Sequence, residues 1–134
     1  MPHVVVLYTA NVESKTNMSE LCRVLANELL SIRDEDGKQP YPTAGTRVFA
    51  LSSPHFAVAD GLGDYGFIYI NLRMAAGRSD AVKKLTGDRL LEQANRYLAS
   101  ALEEFPVGIT LQIDQSPGQV FDAKAGSLRK IFAS

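Results

Sequence analysis

The chain is 134 residues long and carries 14 Lys and Arg against 15 Asp and Glu, a formal net charge of −1. That length fits one domain with a core of its own, and the even balance argues against a nucleic-acid binder, which usually carries a basic surplus. No apolar run approaches the roughly 20 residues of a membrane span, no signal-peptide pattern opens the chain, and the single Cys22 excludes an internal disulfide. One cytoplasmic domain over residues 1–134 is expected.

The run from Pro2 to Thr9 is rich in valine and reads as a buried strand. A small second residue permits removal of Met1, which leaves Pro2 as a secondary amine at the chain terminus. Such an α-amino group titrates at about 7.7–8.0 in water. Burial disfavours its charged form and lowers that value, toward the range in which a general base works best. Pro2 is therefore a candidate proton carrier that needs no histidine or carboxylate. The plainer alternative is a proline opening an edge strand, where its missing N–H matters little.

Further along, Asn17 with Glu20 three residues on makes a capping box. Leu21, Val24, Leu25, Leu29 and Ile32 recur at helical spacing, so residues 18–33 are expected to form an amphipathic helix. Cys22 lies beside that stripe with no histidine partner in the pattern and reads as a packing residue. Residues 33–42 are charged, end in turn formers and read as an exposed loop. Thr46 to Ser52 alternates as a second strand, Pro54 ends it, and residues 55–59 read as a short extended piece with His55 at the surface.

Gly61-Leu62-Gly63-Asp64-Tyr65-Gly66 has the composition of a phosphate loop but precedes a strand, where a dinucleotide fingerprint follows one. It reads as a turn. Residues 65–74 are the longest strand candidate. Ser79 caps a second helix over residues 80–105, with Val82, Leu85, Leu91, Ala94, Leu98, Ala101, Leu102 and Phe105 on its buried face, stopped by Pro106 and Gly108. Residues 109–114 alternate as a fourth strand. The tail holds a Pro-Gly turn, Val120-Phe121 and a short amphipathic piece at 127–132.

The order is thus strand–helix–strand twice. The expected fold is α+β in two layers: two β-α-β units forming a four-stranded mixed sheet with both helices on one face. The other face stays bare, with Val4, Val6, Phe67 and Tyr69 as candidates to line it, and an apolar face of that size predicts oligomerisation.

Four stretches together resemble one known family. They are Pro2-His3, Ala44-Gly45-Thr46-Arg47, Ala59-Asp60-Gly61 with Asp64-Tyr65-Gly66-Phe67, and Gly77-Arg78-Ser79. In that order and spacing they resemble 5-carboxymethyl-2-hydroxymuconate isomerase, of the tautomerase superfamily, whose members use an N-terminal proline. The resemblance implies a tautomerase-like homotrimer with sites near its subunit interfaces. It also implies a cofactor-free and metal-free keto–enol isomerisation of a small carboxylate substrate in homoprotocatechuate-type aromatic breakdown. Pro2 would be the catalytic acid and base, and Arg47 and Arg78 would bind substrate carboxylates through planar forks. Arg73 is a second-rank candidate, and Tyr69 and Phe121 are candidate pocket walls. The loop at 33–42 departs from the pattern by its length.

Each arginine has a plainer reading as a surface ion pair, Arg78 with Asp80 for instance. Two other functions also stay open. One keeps the Pro2 base but decarboxylates or hydrates an unsaturated keto acid, since a scaffold does not fix a reaction. The other is a non-enzymatic trimer that binds small carboxylates.

Overall fold

A computed structural model describes residues 2–132; Met1, whose removal is expected, lies outside them. Four strands, β1 (His3–Thr9), β2 (Arg47–Ser53), β3 (Gly66–Ala75) and β4 (Val107–Ser116), alternate with helices α1 (Met18–Ser31) and α2 (Asp80–Glu104); a short helix, α3 (Leu128–Ile131), ends the chain. The sheet order is β2-β1-β3-β4, with parallel β1/β2 and β3/β4 pairs joined through an antiparallel β1/β3 pair. Each β-α-β unit is therefore one half of the sheet, and α1 and α2 pack over the same face. Among the described residues no helix is long and apolar enough to cross a membrane.

Both predicted caps form. The side chain of Asn17 accepts from the Glu20 N–H at 3.1 Å, and that of Ser79 accepts from the Val82 N–H at 3.2 Å, each satisfying a donor the first helical turn leaves orphaned. Leu21, Leu25 and Leu29 of α1 and Val4 and Val6 of β1 are wholly buried together in the core. Val4 and Val6 thus face the helices rather than the bare side. The bare face of β1 carries His3, Val5 and Leu7 instead. Five apolar or aromatic residues in a row do not disclose which parity points inward, because alternation is visible only when one face is polar.

Helix α2 differs from expectation in the same way. Its buried stripe is Val82, Thr86, Leu90, Ala94, Leu98 and Ala101, while Leu85 and Leu91 are exposed. A threonine in the middle hides the stripe. Its hydroxyl donates to the Val82 carbonyl at 2.7 Å and accepts from the Tyr41 hydroxyl at 2.7 Å, which removes the penalty of burying a polar group. Tyr41 corrects the reading of residues 33–42 as wholly exposed: its ring is completely buried and pins the loop to α2.

Gly108 lies inside β4 and does not stop a helix. A Cβ there would sit 2.8 Å from the Phe67 ring on the neighbouring strand, so glycine permits a close approach. Residues 55–59 form loop rather than an extended piece.

Candidate active site

Strand β1 is an interior strand, so the edge-strand reading of Pro2 does not hold. Pro2 itself is buried. The first rung after it organises the region. His3 pairs with Arg47 across the parallel ladder and with Arg73 across the antiparallel one. Residues opposite one another in a ladder share a face, so Arg47, His3 and Arg73 form a row across the open side of the sheet, one residue from Pro2.

These three side chains line a cleft of about 430 Å³, completed by Gln119, Asp122, Ala123 and Lys124 from the tail. Arg47 and Lys124 also border an adjoining hollow of about 300 Å³ with Gly45, Leu128 and Arg129. The tail thus forms one wall of a cationic cleft, through Gln119, Asp122, Ala123 and Lys124 rather than through Phe121, its predicted wall residue.

Arg47 is held tightly. Its Nε donates to His3 Nδ1 at 2.8 Å, its Nη1 donates to the Gly45 carbonyl at 3.1 Å, and its Nη2 lies 2.9 Å from His3 Nε2. A neutral imidazole has one acceptor nitrogen and an imidazolium has none. One of the two ring contacts is therefore the hydrogen bond, and the ring that makes it is neutral. Burial lowers the His3 pKa from its ordinary 6.5, and the charges of Arg47 and Arg73 lower it further. A guanidinium has five N–H donors, so Arg47 keeps donors for an anion in the cleft.

Arg78 sits elsewhere. Its Nη2 and Nε donate to the Pro40 carbonyl at 2.9 and 3.3 Å, its Nη1 donates to the Ala75 carbonyl at 3.2 Å, and its guanidinium carbon stacks 4.8 Å from the Tyr41 ring centre. Gly77, at φ 117°, makes the turn that aims it there. Asp80 pairs with Lys83 at 3.1 Å, not with Arg78. Arg78 thus clamps the 33–42 loop to the end of β3. Charged-donor hydrogen bonds are worth about 1.5–3 kcal/mol, so Arg78→Ala is expected to lower stability by roughly that amount. Urea unfolding measures it; an unchanged midpoint contradicts the clamp.

Tyr69 pairs with Leu7, four residues along β3 from Arg73, which is roughly 13 Å at the rise of a strand. Its hydroxyl donates to Gln112 Oε1 at 2.8 Å. Phe121 stands 83% exposed on the tail beside the cleft-lining Asp122. Within one chain, then, the cleft unites Arg47 and Arg73 around His3, one residue along from the buried Pro2, and none of Pro2, Arg78, Tyr69 and Phe121 lines it. The sequence pattern gave His3, Gln119, Asp122 and Lys124 no role. Only His3 carried a signal, its place directly after the proline.

The family model for 5-carboxymethyl-2-hydroxymuconate isomerase matches residues 2–132. The chain belongs to this family. The crystal structure of a 5-carboxymethyl-2-hydroxymuconate delta-isomerase is 44% identical, covers 100% of this chain and 94% of its own, and superposes with a TM-score of 0.96. That of a 5-carboxymethyl-2-hydroxymuconate isomerase from Deinococcus radiodurans R1 is 26% identical over 97% of this chain and 93% of its own, with a TM-score of 0.83. The 5-carboxymethyl-2-hydroxymuconate Delta-isomerase of Escherichia coli is 24% identical over 115 residues, 86% of each chain. The protein is accordingly an isomerase with the tautomerase fold, which sets aside the non-enzymatic reading.

Proposed function

We propose that this isomerase converts 5-carboxymethyl-2-hydroxymuconate, or a dienol of that class, to its unsaturated keto acid, with Pro2 carrying the proton. The neutral Pro2 amine takes the hydroxyl proton, and the resulting ammonium returns it to a carbon further along the conjugated system. One O–H bond breaks, one C–H bond forms, and no electron leaves or enters the substrate. The observation that carries this reading is the Arg47–His3–Arg73 rung beside the buried Pro2.

The substrate bears two muconate carboxylates and a carboxymethyl group, so its recognition calls for several fixed cations. Arg47 takes the carboxylate next to the reacting hydroxyl and stabilises the charge that develops on that oxygen. Arg73 holds a second carboxylate. Arg78 retains a partly exposed edge and serves as a further contact where the loop and the end of β3 meet.

The working enzyme is a homotrimer. Leu7, Phe49 and Leu51 are between 43% and 54% exposed, and they adjoin one another on β1 and β2 with Val5 on the same face. A contiguous apolar patch of this kind marks an interface. Packing another subunit there shields Tyr69 from water and gives the exposed Phe121 a surface to cover. Light scattering is expected to give three times the chain mass, and Leu51→Lys is expected to give monomers; a monomeric parent protein contradicts the assembly.

The function is tested by following the loss of dienol absorbance when 5-carboxymethyl-2-hydroxymuconate meets the Met1-free protein. Acceleration over the buffer rate supports the proposal. A buffer rate overturns it.

A further inference from the structure

Proton transfer by Pro2 uses no imidazole, yet a histidine sits at the centre of the cationic rung with both ring nitrogens within 2.9 Å of Arg47. From this geometry we propose that His3 is a positioning residue: its neutral ring fixes the Arg47 guanidinium in the cleft, and protonation of the ring releases it and weakens substrate binding. The inference deepens the isomerase reading above and rests on it.

The bond runs from the Arg47 guanidinium to one ring nitrogen, with the Gly45 carbonyl holding Nη1. An arginine side chain carries about 2 kcal/mol of rotamer entropy, and two anchors fix it before substrate arrives. Preorganisation of this sort spares the ordering term from the binding step. A protonated ring has nothing to accept with and places a second cation against the guanidinium.

Most of the charged groups around His3 are cations, which disfavour a protonated ring. Arg47 comes from β2, Arg73 from β3 and Lys124 from the tail. Among the described residues Asp122 is the one carboxylate lining the cleft, and Lys124 donates to it at 2.9 Å. The Pro2 amine adjoins in the chain. Burial and the two arginines hold the ring below its ordinary pKa, so it is neutral at neutral pH and titrates only in acid.

The test compares Met1-free wild type with His3→Gln, which keeps a neutral acceptor, and with His3→Leu, which has none. Turnover of 5-carboxymethyl-2-hydroxymuconate is measured from about pH 5 to about pH 8, where the imidazole and the terminal amine titrate. His3→Leu is expected to raise KM about tenfold, by the strength of a hydrogen bond to a charged group, with kcat changed by less than about twofold. His3→Gln restores KM. In acid, kcat/KM of wild type falls as both the amine and the ring protonate, and the slope of its logarithm exceeds one over the pH range where the ring titrates; in His3→Gln only the amine remains and the slope does not exceed one.

A wild-type KM in His3→Leu, or equal slopes in wild type and His3→Gln, overturns the positioning role. Calorimetric binding of the keto acid product separates this failure from that of the isomerase reading. If wild type binds the triacid without turning over the dienol, the Pro2 mechanism falls. The His3 role then stands on about tenfold weaker binding by His3→Leu and falls on unchanged binding.

Discussion

Protein that keeps Met1 is expected to isomerise the dienol about 100- to 10,000-fold more slowly than protein that has lost it, the span of a general acid–base contribution. With methionine attached, the Pro2 nitrogen is a tertiary amide. Its lone pair is delocalised into the carbonyl, so it neither accepts the hydroxyl proton nor delivers one to carbon. Nothing else changes: β1 still begins at His3, the helices still cover Val4 and Val6, and Arg47 and Arg73 still flank His3. Intact mass assigns each preparation, and binding of the keto acid persists in both. Pro2→Ala keeps an amine on a looser backbone, so its loss is smaller than that of the blocked form.

Arg47→Ala is expected to lower kcat by about 100- to 1,000-fold, the effect of deleting one donor that meets charge developing in the transition state. In the proposed site Arg47 is the group for that task, because it lines the cleft one residue along from Pro2 and keeps N–H donors free for an anion. Arg47→Lys keeps a charge but loses the planar fork, and lysine does not replace arginine at a bidentate site; its kcat stays well below that of the parent. Arg73→Ala, at the proposed second carboxylate contact, is expected to raise KM with a smaller change in kcat. Steady-state kinetics of the three variants decide the roles. A greater fall in kcat for Arg73→Ala than for Arg47→Ala reverses them.

What could be read from the chain was the local chemistry that depends on a few adjacent residues. The caps at Asn17 and Ser79, the two long helices and the doubled strand–helix–strand order all follow from short-range pattern, and the structure contains them. Facing was less legible. The valines of β1 satisfy either parity, and Thr86 breaks the stripe of α2 because its hydroxyl bonds within its own helix and to a tyrosine far away in sequence.

The cleft depended on information of a third kind. Arg47 and Arg73 are 26 residues apart and become neighbours of His3 only through the register of two ladders. No spacing in the chain announces that meeting. Arg78, by contrast, carried the most recognisable local motif and is engaged with Pro40, Ala75 and Tyr41. The contacts fasten the 33–42 loop to the end of β3.

The most direct test is to titrate the ¹⁵N-labelled Pro2 amine by NMR in Met1-free protein and to overlay that curve on the pH dependence of kcat/KM. The amine is predicted to titrate below the free-amine range of about 7.7–8.0, with kcat/KM rising as it deprotonates. An amine that titrates in or above that range, or a rate indifferent to its protonation, contradicts Pro2 as the proton carrier.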